Sequence, residues 1–239
     1  MADRFYCPDP PVGGRFTIEG DEARHLAKVR RLGLGDYVEL FDGRGTAVPA
    51  EVSTLGRDRV ELSAVGEPWA EPPLSCRLTL ATAVPKGERF DWLVEKATEL
   101  GVARLIPILT ERSVVDPRSA KLERLRRCVV EAAKQCGRNR LMELDQPTSW
   151  NALVGTAQAD LRLLAHPNGV SRQRWPQGKA GDSVFLAIGP EGGFSDSEVA
   201  QAQELGWSIV GLGSTILRIE TAGLVGCASI LSQSEGWQE

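Results

Sequence analysis

The stretch FLAIGPEGGFSDSEVAQA, residues 185–202, is followed shortly by GLGSTILRIETAG, residues 211–223. In each region an apolar run ends in glycine, and charged residues follow. Short continuous apolar runs are typical of strands that are covered on both faces. Between the two runs, Ser195 and Glu198 have the spacing of a capping box at the start of a helix. The region therefore predicts strand, helix and strand, as in an α/β sheet.

The same alternation of strands and helices extends from about residue 78 to near the end of the chain. Strands are predicted at 78–84, 104–109, 161–165, 184–188 and 208–212, and helices at about 90–100, 120–136, 196–205 and 222–232. Pro107 favours an edge position or a strand end for the second of these strands. The pattern predicts an α/β domain with a mainly parallel sheet.

Residues 66–76, GEPWAEPPLSC, hold three prolines and no periodic pattern, which is typical of a linker. They divide the chain into domains at 1–72 and 73–239. Before this linker, strands are predicted at 37–41, 46–54 and 59–65, with DGRG at 42–45 as a hairpin turn and a short helix at 21–29. The first domain is therefore expected to be a small β-rich barrel.

The composition is that of an ordinary globular protein, with 42% hydrophobic and 25% charged residues among 239. No apolar run approaches the roughly 20 residues that span a bilayer, and the first ten residues, MADRFYCPDP, lack the apolar core of a signal peptide, so a cytoplasmic location is expected. Five scattered cysteines without a CxxC pair, and only two histidines, predict neither a disulfide framework nor a metal site.

The net charge of -4 argues against a uniformly basic nucleic-acid binder, but one region is basic. Between residues 112 and 140, nine basic residues stand against three acidic ones: Arg112, Arg118, Lys121, Arg124, Arg126, Arg127, Lys134, Arg138 and Arg140 against Asp116, Glu123 and Glu131. This surplus would suit contacts with phosphates, and it would equally suit a solvated helix face.

The glycines lie where the predicted strands end, and ligands of parallel sheets bind beyond the carboxyl ends of strands. Gly189, Gly192 and Gly193 follow one strand, and Gly211 and Gly213 end the next. The sequence contains neither GxGxxG nor GxxxxGK[ST], so a dinucleotide or phosphate loop lacks its fingerprint. A ligand site at these loops and a set of plain turns both remain open.

Two charged residues, Arg218 and Glu220, stand among apolar neighbours at the entry to the last predicted helix. An unpaired charge is costly to bury, so these side chains have either a functional use or a salt bridge that ties the helix to the sheet.

Five segments together resemble a known family. They are IGPEGGFSDSE (188–198), LGSTILRIETA (212–222), KGERFDWLVEKATELGV (86–102), EAAKQCGRNR (131–140) and HLAKVRRLGLGDYVELFDGRG (25–45). Taken in their order along the chain, they resemble the RsmE-type ribosomal RNA uridine methyltransferases of the SPOUT superfamily. The resemblance spans nearly the whole chain, and the segment at 25–45 is similar to that family's PUA-like RNA-binding barrel.

The resemblance implies a C-terminal trefoil knot, S-adenosyl-L-methionine as methyl donor, and a homodimer with its sites near the subunit interface. It further implies N3-methyluridine as the product, in the decoding region of 16S ribosomal RNA in the small subunit. The cofactor-binding residues that it implies lie in three loops: Leu164, Ala165 and His166; Ile188, Gly189, Pro190, Gly192 and Gly193; Leu212, Gly213, Ile216 and Leu217.

For catalysis, uridine N3 carries a proton at neutral pH, so a base or a group that stabilises the anion is required. Glu191 and Glu220 are candidate bases, and Arg218 is expected to be essential; either glutamate would alternatively position an arginine. The expected RNA contacts are His25, Arg31, Lys86, Arg89, Arg138, Asn139 and Arg140. Packing is the alternative for His25, and loop structure is the alternative for His166.

The chain departs from the family pattern at Arg30, where an apolar residue is common, and in LMELDQP after Arg140. Two other functions stay open. The first is methylation at another RNA position, such as a ribose hydroxyl. The second is a non-catalytic RNA-binding assembly factor, which the intact GPEGG and ILRIETA segments disfavour.

Overall fold

A computed structural model describes residues 3–9, 14–116 and 119–234, and these pack as two compact units. The first unit takes its described residues from 1–73 and 130–141, and the second takes them from 74–129 and 142–239. The expected boundary at 72–73 placed 130–141 in the second domain, whereas these residues pack with the first unit. No helix in the described ranges is long and apolar enough to cross a membrane.

The first unit is built on one sheet. Its strands are β1 (Asp3–Tyr6), β2 (Arg15–Glu19), β3 (Tyr37–Phe41), β4 (Thr46–Leu55), β5 (Arg59–Ala64) and β6 (Trp69–Ala70). They lie in the order β1-β3-β4-β5-β2, with β6 paired to β4, and only the β1–β3 pair is parallel. The three predicted strands and the short helix are confirmed, although the helix, α1 (Gly20–Arg24), continues as a π-helical turn, His25–Val29.

The predicted hairpin turn between β3 and β4 is confirmed, and Asp42 explains why it forms there. One oxygen of its carboxylate accepts the backbone N–H groups of Arg44, Gly45 and Thr46 at 2.7, 3.1 and 3.0 Å. An Asp side chain that satisfies local backbone donors is a common way to stabilise a tight turn. The core of this unit lies under the sheet, where Phe5, Leu26 and Leu62 are at most 1% exposed.

The second unit is a parallel sheet with helices packed on it. Its strands are β7 (Arg77–Ala83), β8 (Arg104–Leu109), β9 (Glu143–Leu144), β10 (Thr148–Ser149), β11 (Leu161–Val170), β12 (Ser183–Ile188) and β13 (Ser208–Val210). Its helices are α2 (Arg89–Leu100), α3 (Ser119–Cys136), α4 (Trp150–Val154), α5 (Asp196–Glu204) and α6 (Ile219–Ser234). The end of α3 lies in residues 130–141 and packs with the first unit.

The strand order of this sheet is β10-β8-β7-β12-β11-β13, with β9 also paired to β8, and every pair is parallel. The predicted parallel α/β domain is therefore confirmed. On one side, α6 packs against α2, β7 and β12. On the other side, Phe185 of β12 packs with Trp150, Phe194 and Trp207 in one apolar cluster. Both faces are covered, which explains the continuous apolar runs.

Pro107 lies inside its strand, and the predicted edge position for this strand is wrong. On one side β8 pairs with β7 throughout, with Pro107 opposite Thr82. On the other side β9 pairs only with Arg104 and Leu105, and β10 pairs only with Ile108 and Leu109. Pro107 thus falls in the gap between two short strands, where its missing N–H leaves no hydrogen bond unmade.

Candidate active site

A cavity of about 440 Å³ opens at the carboxyl ends of β11, β12 and β13, inside the second unit. Its wall is formed by the three chain segments that follow or end these strands, together with the start of α6. Volumes of this order are typical of sites for small molecules. The position is where ligands of open parallel sheets bind.

The predicted cofactor residues come together at this cavity, with one exception. The wall includes Ala165, His166, Ile188, Gly189, Pro190, Gly192, Gly193, Leu212, Gly213, Ile216 and Leu217. Leu164 precedes them on β11, is completely buried in the core under the sheet, and does not belong to the wall. Glycines at the ends of predicted strands therefore marked the position of this cavity.

The loop between β12 and α5 has a defined shape. Gly193 takes a φ of 68°, and its N–H donates to the carbonyl of Pro190 at 2.8 Å. The predicted capping box is confirmed: the Ser195 hydroxyl accepts from the N–H of Glu198, and the Glu198 carboxylate accepts the N–H of Ser195 at 2.8 Å. A left-handed turn followed by a reciprocally capped helix holds this loop in one conformation.

A second loop is tied to this one by Glu198 and Arg112. The other carboxylate oxygen of Glu198, Oε1, accepts the N–H of Glu111 at 3.0 Å. The Arg112 guanidinium donates to the carbonyl oxygens of Gly192 at 2.8 Å and Phe194 at 3.5 Å, and Arg112 lines the cavity. Sequence reasoning counted Arg112 only within the basic segment. Its position just after the carboxyl end of β8 was the signal that would have placed it here.

The three predicted catalytic residues occupy different environments. Glu191 is exposed and lines the cavity. Arg218 is also exposed and stands between Leu217 and Ile219, two residues of the wall. Glu220 is 7% exposed in the first turn of α6; its Oε1 lies 3.8 Å from Nε of Arg89, and no hydrogen bond to a described residue reaches its Oε2. The structural alternative, in which a glutamate positions an arginine, thus fits Glu220 better than Glu191.

The expected RNA contacts of the second unit, Lys86 and Arg89, are both exposed near the start of α2. In the first unit Arg31 is exposed and is the only described residue other than glycine with a positive φ, at 57°. Such a backbone conformation is uncommon outside glycine, and it costs free energy that the surrounding structure must offset.

The segment CGRNR, residues 136–140, lies within the first unit, and two of its side chains are buried there. Asn139 is completely buried, and its side-chain oxygen accepts a hydrogen bond from Arg4. Arg138 is 9% exposed, and burial lowers the pKa of its guanidinium, an effect that the nearby Glu71 partly offsets. The Arg140 guanidinium donates to the carbonyl of Arg44 at 2.6 Å. As placed, Arg140 offers more of its side chain to a ligand than Arg138 or Asn139 does.

His25 belongs to a cluster with Glu22, Glu131 and Lys134, in which the ligand atoms of the two glutamates and the histidine come close enough for a metal ion. The Lys134 ammonium lies among them, 3.0 Å from Glu22 Oε1, 3.1 Å from His25 Nδ1 and 3.0 Å from Glu131 Oε1. Because a cation already occupies the centre, the geometry is that of a buried ion-pair network.

Two of the basic residues counted between 112 and 140 are not described: Arg118 lies outside the described residues, as does the side chain of Lys121.

The chain is similar to known RNA methyltransferases along most of its length. Residues 72–231 match the family model of an RNA methyltransferase domain, and residues 18–65 match that of an RNA methyltransferase PUA domain. Ribosomal RNA small subunit methyltransferase E of a Synechocystis strain is 34% identical, covering 94% of this chain and 75% of the relative. The Bacillus subtilis protein of the same name is 30% identical, covering 92% and 91%.

Among solved structures, a methyltransferase of Legionella pneumophila with S-adenosylmethionine bound superposes with a TM-score of 0.89 at 29% identity, covering 97% of this chain and 98% of that one. Ribosomal RNA small subunit methyltransferase E of Neisseria gonorrhoeae, also bound to S-adenosylmethionine, gives 0.88 at 29% identity, covering 99% and 98%.

A parallel α/β unit with a cavity at its strand ends, following a PUA-type β unit, defines an RNA methyltransferase, and the family models match both parts. Within that class, the extent of the match to its relatives decides the family. The chain belongs to the ribosomal RNA small subunit methyltransferase E family.

Proposed function

We propose that the protein transfers a methyl group from S-adenosyl-L-methionine to N3 of a uridine in the decoding region of 16S ribosomal RNA. The observation that carries the proposal is the cavity at the ends of β11, β12 and β13, whose wall unites eleven of the twelve residues expected to bind the cofactor. Relatives that superpose over the whole chain bind S-adenosylmethionine. The target position rests on the resemblance to uridine methyltransferases.

The residues present fit this cofactor. Ile188, Leu217 and Ile219 give the cavity apolar walls on which an adenosine can pack, and its volume of about 440 Å³ suits a ligand of that size. Gly189, Gly192 and Gly193 leave backbone groups accessible to a ligand. When bound, S-adenosyl-L-methionine supplies an electrophilic methyl group on a sulfonium. Because displacement at such a methyl needs few protein groups, positioning of the uracil is the main task of this chain.

Three residues carry that task in the proposal. Glu191, which lines the cavity, takes the proton from N3 of the uracil. Arg218 stabilises the negative charge that develops on the uracil carbonyl oxygens. Its exposed guanidinium forms no ion pair with any described residue and is therefore available to the substrate. Glu220 positions Arg89, whose Nε lies 3.8 Å from its Oε1, and Arg89 then holds a phosphate.

RNA contacts in the proposal come from both units. Arg31 and Arg140 of the first unit and Lys86 and Arg89 of the second bind phosphates, while Arg138, Asn139 and His25 shape the first unit. Because N3 lies on the Watson-Crick edge, the target base must be unpaired when it reacts. We further propose that the substrate is the assembled small subunit and that methylation takes place in the cytoplasm. The proposed domains of the chain meet at 72–73, with the exception of residues 130–141, which pack with the first unit.

The trefoil knot belongs to the proposal as well. After β12, the chain passes to β13 on the far side of β11 and then returns as α6 to pack on β7 and β12. We propose that this return passes through the loop formed by the segment that connects β11 to β12, which is the path that a knot requires.

The proposed homodimer would cover α2 and α6, where Trp92 and Val225 are 46% and 37% exposed.

The test measures transfer of labelled methyl from S-adenosyl-L-methionine to small subunits from a strain that lacks this gene. We expect Arg218→Ala to lower the rate about 100-fold, the usual effect of removing a group that stabilises developing charge. Glu191→Gln should lower it at neutral pH, and its deficit should narrow as pH rises, because more of the uridine is then already deprotonated. Cofactor binding without transfer by the wild type would instead indicate a different RNA substrate, and the absence of both binding and transfer would indicate an RNA-binding assembly factor.

A further inference from the structure

Arg112 has hydrogen-bonding capacity that its contacts leave unused. It follows β8, lines the cavity, and donates from Nη1 to the carbonyl oxygens of Gly192 and Phe194. A guanidinium has five N–H donors in a fixed fork. Among residues 3–9, 14–116 and 119–234, these two carbonyls are its only hydrogen-bond partners. The N–H groups on Nε and Nη2 remain available to a ligand.

The loop that Arg112 contacts does not depend on this residue alone. Glu198 accepts the N–H of Ser195 at 2.8 Å and the N–H of Glu111 at 3.0 Å. Glu198 is 6% exposed and thus joins the two loops from inside the unit. These hydrogen bonds of Glu198 hold the loop between β12 and α5 without Arg112. The need to hold this loop therefore does not explain why a guanidinium lies in the cavity wall.

The charges of the wall complement those of the cofactor. Apart from His166, the ionisable side chains among the lining residues are Arg112, Glu191 and Asp196, one positive and two negative. S-adenosyl-L-methionine carries the reverse set: one carboxylate, one ammonium and one sulfonium. Opposite charges attract more strongly in a partly desolvated cavity than in bulk water. The single guanidinium is therefore matched to the single carboxylate.

We propose that Arg112 binds the carboxylate of the cofactor's amino-acid part and makes affinity depend on that group. The inference rests on the proposed cofactor site. A guanidinium fixed by one nitrogen to backbone carbonyls presents its remaining donors in a set direction, which suits a planar carboxylate. Arg112 is thereby assigned as a residue that determines which adenosyl ligand is bound.

The test compares binding of S-adenosyl-L-methionine and of its decarboxylated analogue, which differ only in the carboxylate, by calorimetry. We expect Arg112→Gln to weaken binding of S-adenosyl-L-methionine about tenfold, the effect of losing a charge-assisted hydrogen bond at a partly exposed site, and to leave binding of the analogue within about twofold. Arg112→Lys should keep part of the preference. Glu198→Gln, which loosens the loop without removing a cavity charge, should weaken both ligands alike.

Equal weakening of both ligands by Arg112→Gln would overturn the inference and leave Arg112 as a residue that only fixes the loop. A wild type that binds both ligands equally would overturn it too. Failure of the cofactor site itself gives a different result: Ala165→Leu, which fills the cavity, would leave the affinity for S-adenosyl-L-methionine unchanged.

Discussion

The carboxylate of Glu220 is almost inaccessible to solvent and has few interaction partners. It is 7% exposed, Arg89 lies 3.8 Å away, and no described donor reaches Oε2. Burial of an ion without close partners is costly, so this side chain opposes stability where it stands. Residues that lower stability in place are often kept for function.

Glu220→Gln therefore has opposite expected effects on stability and activity. The substitution removes a poorly paired buried charge, so the melting temperature should stay the same or rise. Methyl transfer should fall at least about tenfold, because Arg89 loses the carboxylate that orients it. Glu204→Gln, an exposed change on α5, is the control and should alter neither quantity. A drop of several degrees for Glu220→Gln would show that the carboxylate stabilises the fold.

The buried cysteines give a prediction about pH. Burial raises the pKa of Cys76 to about 12, with a smaller contribution from Asp182, and burial raises the pKa of Cys227 as well. A raised thiol pKa means that the reactive thiolate is scarce at all pH values well below it. At pH 8, iodoacetamide should therefore leave both residues unmodified in the folded protein and modify the half-buried Cys128 and Cys136 first, as measured by peptide mass spectrometry. Labelling of Cys227 at the rate of Cys136 would contradict this.

At the level of the elements, periodicity and apolar runs were sufficient to predict the parallel sheet and its main helices. They missed β9 and β10, because two-residue strands leave no pattern, and they ended β11 at residue 165 whereas it continues to Val170. The extension pairs Val170 with Val210 after a shift in register, a contact that depends on which strands are neighbours. The cavity residues could be predicted because glycines and strand ends mark the site in the sequence. The place of Arg112 in the cavity wall could not, because it depends on contacts with a loop about 80 residues away in the sequence.

Substitution of Gly169 tests this close pairing of β11 with β13. A Cβ at this residue would lie 2.2 Å from the backbone carbonyl carbon of Val210. The backbone of Val210 could move away only by disturbing the pairing of β13 with β11. Gly169→Ala should lower the free energy of unfolding by at least about 2 kcal/mol and weaken cofactor binding, because Leu212 and Gly213 follow the displaced strand.

The matched control is Gly155→Ala, where the nearest atom to the added methyl is Leu205 Cδ1 at 3.8 Å. It should change the free energy of unfolding by less than about 0.5 kcal/mol in urea titrations. Equal effects of the two substitutions would mean that the close approach at Gly169 does not constrain the strands.

For the whole molecule, the net charge of -4 and the proposed RNA contacts have different effects. A net negative charge disfavours non-specific binding to nucleic acid, while the exposed cations that we propose as RNA contacts, such as Arg31 and Arg89, would bind individual phosphates. The exposed face of α6 has a different character: Thr221, Val225 and Ser232 are exposed and uncharged. An uncharged helix face beside exposed Trp92 of α2 is suited to a second copy of the chain.

The homodimer is therefore expected to depend on Trp92 and Val225. Replacing both by Glu should place like charges in the interface and yield a monomer at micromolar concentration, measured by light scattering. Leu205→Glu, a change at a residue that is 39% exposed after α5, should leave the dimer intact. A dimer that survives the double substitution would place the interface elsewhere.

Identification of the product nucleoside tests the central claim most directly. Small subunits lacking the modification are incubated with the protein and labelled S-adenosyl-L-methionine, and the RNA is digested and separated by chromatography with mass detection. We expect label in N3-methyluridine, and we expect this label to be lost with Arg218→Ala. Label in a ribose-methylated or any other nucleoside, or label that persists undiminished with Arg218→Ala, would contradict it.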